Sequence, residues 1–104
     1  MAMYYVYMIR CKDNTIYTGI TTDLQRRFNE HKTKSEKCAK YTYFHEAVSL
    51  EAAWKCEDRS MASKLECYIK RLSKKEKEQL INSKTKLSDI IIMVEDKDYV
   101  KVNM

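Results

Sequence analysis

Tyr7, Tyr17, Arg27, His31 and Glu66 are of types that move protons, hold anions or bind a hard cation, and they follow one another in the first two thirds of the sequence. A tyrosine phenol, with an ordinary pKa of about 10, acts as a base at neutral pH only where positive charge or hydrogen bonds favour the phenolate. An arginine is a permanently charged planar fork that suits a phosphate. One glutamate can hold Mg²⁺ when waters and substrate oxygens complete the shell. Each residue also has an ordinary explanation. Aromatics with one wet end are favoured in strands. Arg27 and His31 recur at i, i+4, as on an exposed helix face, and Glu66 with Lys70 is an i, i+4 pair that needs no metal. Neither His31 nor His45 sits in a His/Cys cluster, which argues against zinc.

The elements that must position these groups can be read from the same sequence. Tyr4 to Cys11 and Thr15 to Ile20 are breaker-free runs of strand-forming residues around Lys12-Asp13-Asn14, which predicts a β-hairpin with Asp13-Asn14 in the turn. Gly19, the single glycine, ends the second strand, where a special backbone conformation or a close approach would require it. Thr22 with Gln25 reads as a capping box opening a helix that carries Leu24 and Phe28. Residues 33–46 form the expected long loop, where Lys34, Lys37, Lys40, Tyr41 and Tyr43, with Lys32 just before them, interleave base-stacking and phosphate-binding types. Ala47 to Cys56 reads as a third strand, weakened by Ala52 and Ala53. Asp58 or Ser60 caps a second helix with a core stripe of Met61, Leu65, Tyr68, Ile69 and Leu72, and Glu66 lies beside that stripe. Ser73 to Glu76 is a capping box for a short helix burying Leu80 and Ile81. After residue 83, the runs Ile90 to Val94 and Tyr99 to Val102 resemble a strand–turn–strand extension that adds to the sheet or pairs with another copy of the chain.

Composition sets the class. The 104 residues suit one domain, read as 1–83 with an 84–104 extension, and 44% hydrophobic with 34% charged residues describes a globular chain. No window is apolar enough for a membrane helix and the start lacks a signal-peptide layout, so an intracellular protein with no membrane partner is expected. Cys11, Cys38, Cys56 and Cys67 match no zinc or redox spacing and read as free thiols. The net charge of +5 lies entirely within residues 1–83, which points to a polyanionic partner. The scarcity of glycine and lack of proline suggest a large-DNA-virus source.

The ordered set Tyr5-Val6-Tyr7, Tyr17-Thr18-Gly19, Arg27 and Glu66 resembles the GIY-YIG nuclease family, especially its small UvrC-like, UPF0213-type branch. The likeness spans roughly residues 4–82, with Ile20-Thr21-Thr22-Asp23-Leu24, Arg26-Arg27, His31, Lys64-Leu65-Glu66 and Ile69-Lys70-Arg71-Leu72 in support. The resemblance implies an α+β fold: a small, mostly antiparallel three-stranded sheet flanked by helices. It implies Tyr7 and Tyr17 side by side, one helping to activate water, Arg27 on the scissile phosphate, and His31 in proton transfer or phosphate contact. It also implies Glu66 holding Mg²⁺ or Mn²⁺, with Arg26, Lys32, Lys40 and Lys70 as nucleic-acid contacts. The expected activity is metal-dependent DNA cleavage directed by structure or damage, as in repair, recombination or replication, with RNA not excluded. A catalytically weak nucleic-acid-binding module and an assembly protein, dimeric through the tail, are the alternatives. Two positions depart from the family pattern: Tyr5 replaces the first glycine, and Glu78 stands where some members carry asparagine.

Overall fold

The computed structural model describes residues 3–34, 45–82 and 84–103. Tyr4–Cys11 (β1) and Ile16–Thr21 (β2) form the antiparallel hairpin. Its turn places Asn14 at a left-handed φ of 68°, while the Asp13 carboxylate accepts from the Thr15 backbone and hydroxyl. Asn and Asp suit such a turn because their short polar chains tolerate this conformation and bond the backbone just ahead. Ala47–Cys56 (β3) pairs antiparallel with the other edge of β1, and Val100–Lys101 (β4) completes the order β2-β1-β3-β4.

The sheet is covered on both sides, so β1 buries consecutive residues. Val6 and Met8 face the larger core with Ala52, Trp54, Ala62, Leu65, Ile69 and Leu80. Tyr7 and Ile9 face the smaller one, against Leu24 and Phe28. Ala52 and Ala53, which looked weak for a strand, are fully buried on opposite faces of β3. Small side chains fit there because helices press close on both sides.

Helix α1 runs Leu24–Lys32 and is capped by Asp23, whose carboxylate accepts from the Arg26 N–H. The expected cap, Thr22, lies one residue too early. Helix α2, Arg59–Lys70, takes Asp58 as its cap, and α3, Lys74–Ile81, opens with the full Ser73–Glu76 capping box. The Glu78 departure has a structural partner. Arg10 donates to both Glu78 oxygens at 2.5 and 2.6 Å and to Glu51 at 3.1 Å, tying α3 to β1 and β3. The Arg10 guanidinium, assisted by Lys74, holds the Glu78 carboxyl down at about 2.

The tail differs from expectation. Leu87–Ile90 is a single helical turn, α4, and Ile90 to Val94 is no strand. Asp89 accepts from the Lys86 N–H, and Asp96 accepts from the Ser88 N–H and hydroxyl, which winds the chain instead of extending it. Leu87, Ile91 and Val94 therefore reach the larger core together, leaving Ile92 92% and Met93 71% exposed. Only Val100–Lys101 joins the sheet, and the Tyr99 hydroxyl donates to the Met61 carbonyl on α2 at 2.7 Å. The sheet thus has four strands, with no separate hairpin among the described residues. No described helix is long and apolar enough to cross a membrane. Cys11, Cys56 and Cys67 are free thiols, the first two buried.

Candidate active site

The hairpin register decides how the two tyrosines meet. Tyr7 lies opposite Gly19 and Tyr17 opposite Ile9, so the tyrosines are diagonal neighbours on one face, with ring centroids 6.3 Å apart. Gly19 has no positive φ, so its use is space, not backbone freedom. A Cβ there would collide with the Tyr7 hydroxyl and lie 2.7 Å from Tyr7 Cζ. The glycine lets the Tyr7 phenol lie flat across β2.

Crossing β2 brings that phenol to helix α1. The Tyr7 hydroxyl is 2.9 Å from His31 Nε2, and Arg27 Nε donates to the same oxygen at 3.4 Å. The i, i+4 spacing of Arg27 and His31 presents both to one phenol. His31 is fully buried, with its ring 5.7 Å from Tyr7 and 5.2 Å from Tyr17 between centroids. With no surface exposed, His31 could act on a phosphate only through Tyr7. Arg27 also bonds Glu30 at 3.0 Å.

Electrostatics keep both buried partners neutral near pH 7. Burial pushes Tyr7 up to about 12; the Arg27 hydrogen bond opposes this, while Tyr17 and Glu66 add to it. A phenolate is thus disfavoured at Tyr7, contrary to the site that a simple tyrosine base would require. His31 is pushed down to about 4, first by burial and then by the Arg27 charge, with Glu30 opposing. Arg27 can only donate, so the phenolic O–H remains available to donate to Nε2 when the neutral imidazole carries its proton on Nδ1.

The low His31 value carries a pH prediction. A depressed pKa in the folded state means that the stability it contributes is complete above about 6.5 and is lost as pH falls through about 4. A buried group shifted this far is worth of order 1–3 kcal/mol. Thermal midpoints should fall between those two pH values, and His31→Gln should flatten that interval; an unchanged slope would mean another group titrates there.

Glu66 on α2 is about three quarters buried and pairs with Lys70 at 3.5 Å, yet its charge still acts on Tyr7. Among the described residues no three His, Cys, Asp or Glu side chains converge as a metal cage. A lone carboxylate such as Glu66 could hold a hard cation only with waters and substrate oxygens completing the shell. Lys32 lies over the Phe28 ring at 5.9 Å, and Lys40 lies outside the described residues.

The match to known proteins fits this geometry. A model of the GIY-YIG catalytic domain matches residues 3–79. The chain belongs to the GIY-YIG family. UPF0213 protein FN1575 of Fusobacterium nucleatum is 47% identical over 79 residues, covering 76% of this chain and 77% of that protein. UPF0213 protein DP2720 of Desulfotalea psychrophila is 45% identical over 83 residues, covering 80% and 74%. The solution structure of UPF0213 protein BH0048 from Bacillus halodurans superposes with a TM-score of 0.51 at 34% identity, covering 89% of this chain and 97% of that one. GIY-YIG domains are endonuclease domains, and the tyrosines, Arg27 and Glu66 all fall inside the matched span.

One GIY-YIG-side feature was missed in the sequence. Arg59 opens α2 and joins Arg26 and Arg27 around an open cleft of about 420 Å³ that also takes in Tyr4, Thr21, Thr22 and Glu30. Its distance from Arg27 in the chain hid it; the only available signal was its place directly after a helix cap.

Proposed function

We propose that this protein is a metal-dependent endonuclease that hydrolyses DNA phosphodiesters, directed by the structure of its substrate or by damage, in repair, recombination or replication. The observation that supports this most is the polar chain Arg27–Tyr7–His31, built between β1 and α1 and given room by Gly19 on β2. It can take a proton from water without a free phenolate. As the water oxygen attacks phosphorus, its proton passes to the Tyr7 oxygen while the Tyr7 proton passes to His31 Nε2. Formation of the Tyr7 anion, costly at a pKa of about 12, is thereby avoided.

Arg27 holds a non-bridging phosphate oxygen and offsets the charge developing there. A bound phosphate also cancels part of the Arg27 field that disfavours a charged His31, so substrate binding raises the basicity of the relay's end. Tyr17, partly exposed beside both rings, orders the water on the open side. Glu66 is the protein ligand for a divalent ion, Mg²⁺ or Mn²⁺, which when bound neutralises phosphate charge and lowers the pKa of water.

The test is cleavage of labelled single-stranded, duplex, flapped and branched DNAs with Mg²⁺ or Mn²⁺, with and without chelator, for the native protein and Tyr17→Phe. Cutting of at least one DNA that chelator abolishes is the expected result. Salt-sensitive binding without any metal-dependent cutting would overturn it in favour of a binding module.

A further inference from the structure

Helix α2 carries a polar strip of which the proposed hydrolysis uses only Glu66. Arg59, Ser63, Glu66 and Lys70 recur at i, i+4, i+7 and i+11, one face of Arg59–Lys70, while Ala62, Leu65 and Ile69 are buried. Seven residues at about 1.5 Å each place Arg59 about 10 Å along the axis from Glu66.

Arg59 is also where α2 meets the cleft of Arg26 and Arg27. Among the described residues Arg27 is engaged by Glu30, whereas Arg26 and Arg59 are exposed and take part in no ion pair. Two guanidinium groups without carboxylate partners, on different elements of one concave surface, suit a phosphate that approaches from solvent. Tyr4, partly buried against the larger core, lines the same cleft and adds a side chain of the type on which unpaired bases stack.

We infer that this cleft, which Arg27 also lines, is a second phosphate subsite, in which Arg26 and Arg59 hold the backbone of a single-stranded segment adjoining the bond at Arg27. The inference rests on the nuclease reading for the position of the scissile phosphate, but the binding it asserts does not require cutting. Phosphate contacts of this kind read backbone, not sequence, and stacking on Tyr4 needs an unpaired base, so the substrate is recognised by an unpaired stretch next to the cleavage point.

The experiment is fluorescence anisotropy with a short fluorescein-labelled oligonucleotide, single-stranded or blunt duplex, in chelator across a salt series. Native protein is compared with Arg59→Ala, Arg26→Ala, Arg59→Lys and, as a charge-matched control outside the cleft, Lys75→Ala. Each Ala variant in the cleft should weaken single-strand binding severalfold at low salt and reduce the log–log salt slope by about 0.7, the value for one lost phosphate contact. Arg59→Lys should keep the slope and lose part of the affinity, because its charge remains without the fork. The proposal is overturned if the cleft variants change affinity and slope no more than Lys75→Ala, or if blunt duplex shows the larger loss. Absent metal-dependent cutting by the native protein would instead strike the nuclease reading, leaving these slopes to be judged on their own.

Discussion

Glu66→Gln is expected to slow metal-dependent cleavage about 10³-fold, the scale on which a group that stabilises the transition state acts, while affinity for uncut DNA changes little. Glutamine keeps the shape and removes the charge. Lost stability is not the cause expected, because the Glu66–Lys70 pair at 3.5 Å has a half-exposed lysine and such pairs contribute about 0–1 kcal/mol. Nor can the loss arise through Tyr7. The Glu66 charge raises the Tyr7 pKa, so removing it makes the phenol easier to ionise, and a variant acting through Tyr7 as a base would be faster. The two roles therefore predict opposite signs. Single-turnover cleavage at several Mg²⁺ concentrations reads the result, and native rates in Glu66→Gln would remove the carboxylate from the metal site.

Much of this arrangement is legible in the sequence because it is set by local rules. The hairpin follows from two strand-forming runs around Asp13-Asn14, the α3 start from Ser73 and Glu76, and the α2 core face from helical spacing. Those rules need neighbours only a few residues away. They fail where the partner is distant. Glu78 reads as a departure until Arg10, 68 residues before it, is seen to bind both its oxygens. His31 reads as part of an exposed helix face because its i, i+4 relation to Arg27 fixes the face but not what covers it; the covering ring comes from β1. The apolar run Ile90 to Val94 has strand composition, yet Asp89 and Asp96 bond the backbone and turn it. Composition cannot distinguish a strand from a turn whose alternate residues reach a core.

Gly19→Ala should damage both the fold and the reaction, although it adds a single methyl group. The site needs the space and not the flexibility, since Gly19 has no positive φ. The new Cβ would collide with the Tyr7 hydroxyl and stand 2.7 Å from Tyr7 Cζ and 3.1 Å from Tyr17 Cε2. Tyr7 cannot swing aside cheaply, because it is 2% exposed and its hydroxyl is held between Arg27 and His31. Overpacking of this sort costs about 1–3 kcal/mol, several degrees in melting temperature for a domain near this size, at about 4–8 °C per kcal/mol. If strain is relieved by moving the phenol, the relay is displaced, and a shift of about 1 Å can cost about 10²-fold in rate. The double variant Gly19→Ala with Tyr7→Phe separates the two effects. Deleting the hydroxyl removes the nearest clashing atom, so the pair should melt higher than the sum of the single changes predicts, by about 0.5–3 kcal/mol of coupling. Its activity should stay low, because no phenolic oxygen remains to pass a proton to His31. Additive stabilities would show that Gly19 does not serve the position of Tyr7, and recovered cleavage in the double variant would remove the Tyr7 hydroxyl from the reaction.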